Sequence, residues 1–155
     1  FRDEALSLLP GDVRAADLAE NVVTFEEFVT HLARTQALER VRWTLEARDV
    51  LLHGHCHQKA MVGTGPSETC LGLPPNYTVR TVDSGCCGMA GAFGYEAEHY
   101  DVSIAMAERC LAPAVREAEE GTIVAAAGTS CRAQILDTTG RHAKHPAEIL
   151  RDALE

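Results

Sequence analysis

Three times along this chain of 155 residues, a short run of β-branched and apolar residues ends in glycine- or serine-rich sequence that carries cysteine. Val50-Leu51-Leu52 leads into His53-Gly54-His55-Cys56-His57, and Tyr77-Thr78-Val79-Arg80-Thr81-Val82 leads into Asp83-Ser84-Gly85-Cys86-Cys87-Gly88. Thr122-Ile123-Val124-Ala125-Ala126-Ala127 leads into Gly128-Thr129-Ser130-Cys131. The β-branched content of each run favours a strand. Helical stretches follow each cysteine: Gln58 to Met61, Tyr95 to Arg109 and Arg132 to Leu136. Strand, cysteine loop and helix in that repeated order predict an α/β fold. Its sheet is mostly parallel, helices cover both faces, and the cysteine loops sit at the carboxyl ends of the strands. His142 to His145 is a candidate fourth strand, and a last helix is expected from about Pro146.

In an open parallel sheet the carboxyl ends of the strands share one edge, and ligands bind outside that edge. Cys56, Cys86, Cys87 and Cys131 are therefore expected to converge although they are far apart in the chain. Helix N-termini aimed at the same edge favour thiolates over thiols. Four thiolates suit a tetrahedral zinc ion or an all-cysteine iron–sulfur cluster. The side chains of adjacent cysteines diverge, which fits a multi-iron cluster better than one small ion. His55 and His57 alternate around Cys56 and are candidates to ligate or to hydrogen-bond a thiolate. Gly54, Gly85 and Gly88 permit close backbone approach to a bound cofactor. Cys70 and Cys110 lie in apolar helical sequence and are expected to be small buried hydrophobes. No Gly-x-Gly-x-x-Gly fingerprint is present, and no catalytic residue is assigned.

Charge narrows the function classes. Fourteen Lys and Arg against 23 Asp and Glu give a formal net charge of −9, whereas phosphate-backbone recognition needs a clustered positive face. No nucleic-acid partner is expected. The longest apolar run, Ile123 to Ala127, is far short of the roughly 20 residues needed to cross a bilayer. Phe1-Arg2-Asp3-Glu4 shows neither an initiator Met nor a leader pattern, and the expectation is a piece of a longer polypeptide. The first forty residues have helical spacing. Asp12 is a plausible cap, and Val13, Leu18, Val22, Val23, Phe25, Phe28, Val29 and Leu32 are expected to form the buried stripe of a long helix.

Leu52-His53-Gly54-His55-Cys56-His57-Gln58-Lys59, Ser84-Gly85-Cys86-Cys87-Gly88-Met89-Ala90-Gly91 and Gly128-Thr129-Ser130-Cys131-Arg132 together resemble the cysteine-rich CCG domain. That domain occurs in the cysteine-rich subunit of heterodisulfide reductase, in the glycolate oxidase iron–sulfur subunit and in lactate-utilisation proteins. The loops most resemble the C-terminal region of bacterial FAD-linked oxidases of the D-lactate or D-2-hydroxyglutarate dehydrogenase type. The resemblance implies an electron-transfer domain of an FAD-linked 2-hydroxy acid dehydrogenase acting on D-lactate, glycolate or D-2-hydroxyglutarate. It implies an iron–sulfur cluster of 4Fe-4S type here and FAD elsewhere in the parent chain. Its partners would be FAD-binding and ferredoxin-like domains of the same polypeptide, with a quinone or carrier protein as electron acceptor. The location implied is cytoplasmic, peripheral to the inner membrane.

Two departures from the family pattern matter. The pattern ends in Cys-x-x-Cys, but Gln134 stands where the second cysteine is expected. That leaves four thiolates rather than five, and keeps open the alternative of a structural zinc module mediating domain or partner contacts. The family also carries two repeats, whereas one full set is present. The implied division is residues 1–48 as a helical segment trailing a missing first repeat, and 49–155 as the CCG-type α/β domain.

Overall fold

Strand β1 (Arg48–His53) is the axis of the molecule, and its last four residues are buried. It pairs in parallel with β2 (Tyr77–Thr81) on one side and with β3 (Ile123–Ala126) on the other. A short β4 (Ala143–Lys144) extends the sheet beyond β3. All strands are parallel, in the order β2-β1-β3-β4. The computed structural model describes every residue from Phe1 to Glu155.

Alternation along the strands divides the core in two, because successive side chains of a strand point to opposite faces. Leu51, Val124 and Ala126 face α7 (Leu111–Glu117) and α8 (Thr129–Thr139), packing with Leu111, Val115 and Ile135. Val50, Leu52 and Ala125 face the other way. They meet Leu71 of α5 (Gly65–Leu71) and Ile149 of α9 (Pro146–Asp152). Helices thus cover both faces, as the repeated pattern predicts. Leu71 has no exposed surface, so Leu71→Ala should cost about 2–5 kcal/mol of unfolding free energy. Chemical denaturation of the intact protein measures it.

The amino-terminal region departs from expectation. It forms α1 (Glu4–Leu8), α2 (Val13–Asn21) and α3 (Phe25–Arg34) instead of one long helix. The breaks have local causes. Gly11 adopts φ +80° after Pro10, a conformation that costs glycine little. Val22 is extended, and Thr24 then opens α3 with a reciprocal capping box to Glu27. Short helices at changing angles cannot present one stripe. Val13 is 79% exposed, Phe28 51% and Val23 50%, whereas Ala15, Ala19, Glu26 and Thr30 are buried. The Thr30 hydroxyl donates to the Pro66 carbonyl at 3.2 Å and joins α3 to α5.

The stretch after the paired cysteines also differs. Helix α6 spans Tyr100–Glu108 and not Tyr95 to Arg109. Phe93–Tyr95 forms a single 3-10 turn, and the His99 ring stacks on Phe93 with centroids 4.1 Å apart. This stacking folds residues 93–99 back on themselves and delays the helix. Cys110 is exposed rather than buried, because it caps the start of α7 outside the core.

Candidate metal centre

The sheet reverses its winding between β1 and β3, since the chain moves outward from β1 to β2 and then returns to the far side of β1. Such a switch point opens a crevice at the strand ends. β1 ends at His53, and Cys56 is the first residue of α4 (Cys56–Met61). β3 ends at Ala126, and Cys131 lies in the first turn of α8. Cys86 and Cys87 follow β2 in extended loop sequence, with no helix immediately behind them.

The four sulfurs fall into two electrostatically linked pairs. The Cys131 and Cys87 sulfurs lie within 4.8 Å of each other, close enough for the Cys131 thiol to stabilise a thiolate at Cys87. That contact holds Cys87 far below the ordinary thiol range, and the neighbouring His53 ring and the Met89 backbone N–H act in the same direction. Cys131 is pushed up by the same contact and by its burial. The pair therefore favours a thiolate at Cys87 over one at Cys131. Cys86 pairs with Cys56 instead. Burial raises the Cys86 thiol, and the charges of Cys87 and Cys56 raise it further, while the Gly88 N–H donates to its sulfur at 3.3 Å. Adjacent cysteines thus diverge to different partners, and Cys131 senses the charges of Cys56 and Cys86 as well as that of Cys87.

His53 completes the group. It is 1% exposed, and its Nδ1 is 2.9 Å from the Ser84 hydroxyl. Its Nε2 is buried with no hydrogen-bond partner. One ring nitrogen of His53 and the sulfurs of Cys87 and Cys131 all lie within 4.8 Å of one another. Beside a Cys87 thiolate this nitrogen can donate to the sulfur, which lowers the Cys87 pKa, and a metal-bound or cluster sulfur would accept from it in the same way. Sequence spacing favours His55 and His57 over His53. The signal that identifies His53 is its place on β1, two residues after Leu51 and on the same inward face.

His55 and His57 separate because the strand ends before them. His55 is half-buried and packs against Gly128, where an added Cβ would come within 2.6 Å of the ring and 2.9 Å of the Cys131 sulfur. Burial lowers the pKa of His55. His57 is exposed and faces Asp3 and Glu4, away from the sulfurs.

The three candidate glycines have different surroundings. Gly54 has no room for a Cβ beneath Thr64 and Lys59; Gly88 adopts φ +98° with its Cα against the Ser103 carbonyl; Gly85 faces open space. Close backbone approach to the sulfurs occurs instead at Gly128, which the sequence pattern does not single out from other turn glycines. Gln134 is buried and donates to the Ser103 carbonyl and hydroxyl at 3.0 Å each. Cys70 is fully buried elsewhere, with its thiol pushed up to about 12 by burial and by Glu26.

Two cations brace the rim. Arg132 donates to the Ala126 and Ala127 carbonyls at 2.9 and 2.7 Å, closing the end of β3. Lys59 donates to the carbonyls of Ser84 and Gly85.

No family model matches the chain, and no solved structure matches it. Curated proteins do. One subunit of the anaerobic glycerol-3-phosphate dehydrogenase of Escherichia coli K12 is 33% identical over 107 residues, which is 68% of this chain and 26% of that protein. D-2-hydroxyglutarate dehydrogenase of the same organism is 24% identical over 136 residues, 87% of this chain and 13% of that protein. The Pantoea ananatis D-2-hydroxyglutarate dehydrogenase is 26% identical over 156 aligned positions, 99% of this chain and 14% of that protein. The chain therefore spans about a quarter of the glycerol-3-phosphate dehydrogenase subunit and about an eighth of the larger enzymes. No helix is long and apolar enough to cross a membrane. What these observations have in common is a parallel α/β chain, with cysteines gathered at its strand ends, that is similar to a part of larger oxidoreductases.

Proposed function

We propose that the chain is the cluster-bearing electron-transfer region of a larger dehydrogenase that oxidises a small anionic alcohol. The observation that carries the reading is the pairing of thiols from three strand ends, Cys131 with Cys87 and Cys56 with Cys86, with the buried ring of His53 beside the first pair. The comparisons support it in a specific way. Similarity extends to proteins named for different substrates, glycerol 3-phosphate and D-2-hydroxyglutarate, so a shared stretch has no reason to select the substrate. Electron transfer is a task that both kinds of enzyme need.

Cys56, Cys86, Cys87 and Cys131 would hold the group, and an iron–sulfur cluster of 4Fe-4S type would supply one-electron capacity. The division of the thiols into two pairs suits a cluster that offers a separate iron to each sulfur. His53 Nε2, with Nδ1 fixed on Ser84, would donate to a sulfur ligand or to the cluster. The Gly88 N–H keeps its donation to Cys86. Loading requires the thiols to deprotonate, so it should release protons. In this proposal FAD and the substrate belong to partner domains of the parent polypeptide. Residues 1–48 trail an earlier repeat, and residues 49–155 form the CCG-type domain. A quinone or a carrier protein would accept the electrons.

Zinc is the second reading, favoured by the compact trio of His53, Cys87 and Cys131. Nitrogen and sulfur ligands in such a set suit a tetrahedral zinc site. Anaerobic purification of the intact polypeptide, followed by iron, acid-labile sulfide and zinc assays, separates the two. About four irons with matching sulfide are expected for one cluster of this type. One zinc without sulfide would replace the electron-transfer reading with the structural one.

A further inference from the structure

We infer that Lys59 is a positioning residue for the centre, tying Cys56 to the paired cysteines and setting the reduction potential through its fixed charge. The inference rests on the cluster reading above. Lys59 lies one turn after Cys56 on α4. Its ammonium donates to the Ser84 carbonyl and, at 3.1 Å, to that of Gly85. These are the two residues immediately before Cys86. A single side chain therefore joins the helix that carries one sulfur to the loop that carries two.

The geometry around this tie is restrictive. The Lys59 stem crosses Gly54, where an added Cβ would come within 3.1 Å of Lys59 Cγ and 2.6 Å of Thr64. Ser84 is held a second time through its hydroxyl, by His53 Nδ1 at 2.9 Å. With both carbonyls engaged by Lys59, neither is free to turn its negative end toward the thiolates. The backbone past them then presents N–H groups instead, of which the Gly88 N–H reaches Cys86.

The charge itself is not neutralised locally. No carboxylate forms an ion pair with Lys59, although eight such pairs occur elsewhere in the chain. Lys59 is only part-exposed, so water screens its field incompletely. A fixed positive charge held on the carbonyls just before Cys86 favours the state of a thiolate-ligated centre with one more electron. It therefore raises the potential, as charge and hydrogen bonding near the sulfurs do generally.

The test compares wild type, Lys59→Met and Lys59→Arg in the intact polypeptide. Iron and sulfide are assayed, and the midpoint potential is measured by redox titration under anaerobic conditions. Lys59→Met should titrate at a more negative potential, or should lose its cluster. Lys59→Arg, which keeps the charge and the donors, should restore either property toward wild type. An unchanged or more positive potential in a fully loaded Lys59→Met protein overturns the inference. A wild-type protein without iron and sulfide overturns the cluster reading itself, and is recognised before any variant is compared.

Discussion

Serine in place of Cys131 should leave the intact protein with background iron and sulfide, a near-complete loss against wild type. Cys131 is 1% exposed and stabilises a thiolate at Cys87, so its removal takes away one proposed ligand and the partner that lowers the Cys87 pKa. A hydroxyl binds soft metals poorly and cannot ionise as a thiol does. Because Cys131 also belongs to the core that packs on α7 and α8, loss of metal there could reflect loss of packing. Cys56→Ser separates the two. Cys56 is part-exposed at the start of α4 and outside both core clusters; it should lose metal as fully while the circular dichroism of the fold is retained. Cys70→Ala is the control. Its thiol is buried beside Glu26 and away from the site, so metal content should match wild type. Equal metal in the Cys56 and Cys131 variants and wild type would remove the ligand assignment.

Gly88→Ala should destabilise the fold by about 2–4 kcal/mol, through two costs acting together. At φ +98° an L side chain is strained, and the new Cβ would be driven into the Ser103 carbonyl of α6. That carbonyl cannot retreat freely, because Gln134 donates to it from α8. Gly85→Ala, three residues earlier in the same loop, has nothing within 4 Å of its Cβ and no positive φ. It should change stability by no more than about 0.5 kcal/mol. Denaturant titration of both variants measures the contrast. Comparable destabilisation by the two would mean that α6 does not press on the loop at Gly88.

The Gly88 contact also gives Gln134 a role. Gln134 donates from α8 to the Ser103 carbonyl and hydroxyl and so clamps α6. Ser103, held by Gln134, lies against both Gly88 and Gly94, so the clamp bears on the loop that carries Cys86 and Cys87.

The sheet, its two helical faces and the placement of all four candidate cysteines at strand ends were legible in the residue pattern. Short-range chemistry determines them: β-branched runs make strands, glycine-rich loops end them, and a parallel order brings their ends to one edge. The order of helices at the amino terminus was not legible, because local caps at Thr24 and a turn at Gly11 cut an apolar periodicity that looked continuous. Cys110 is exposed against expectation for a related reason. Apolar neighbours along a chain do not reveal on which side of a helix start a residue falls.

Residue order alone is enough to single out four thiols and the kind of fold that carries them. How those thiols pair, that His53 rather than His57 shares their pocket, and that Lys59 and Gln134 brace the loop emerge only once the elements pack. Strand and loop propensities act over a few residues. A hydrogen bond between groups 25 or 31 positions apart depends instead on where packing places two separate elements.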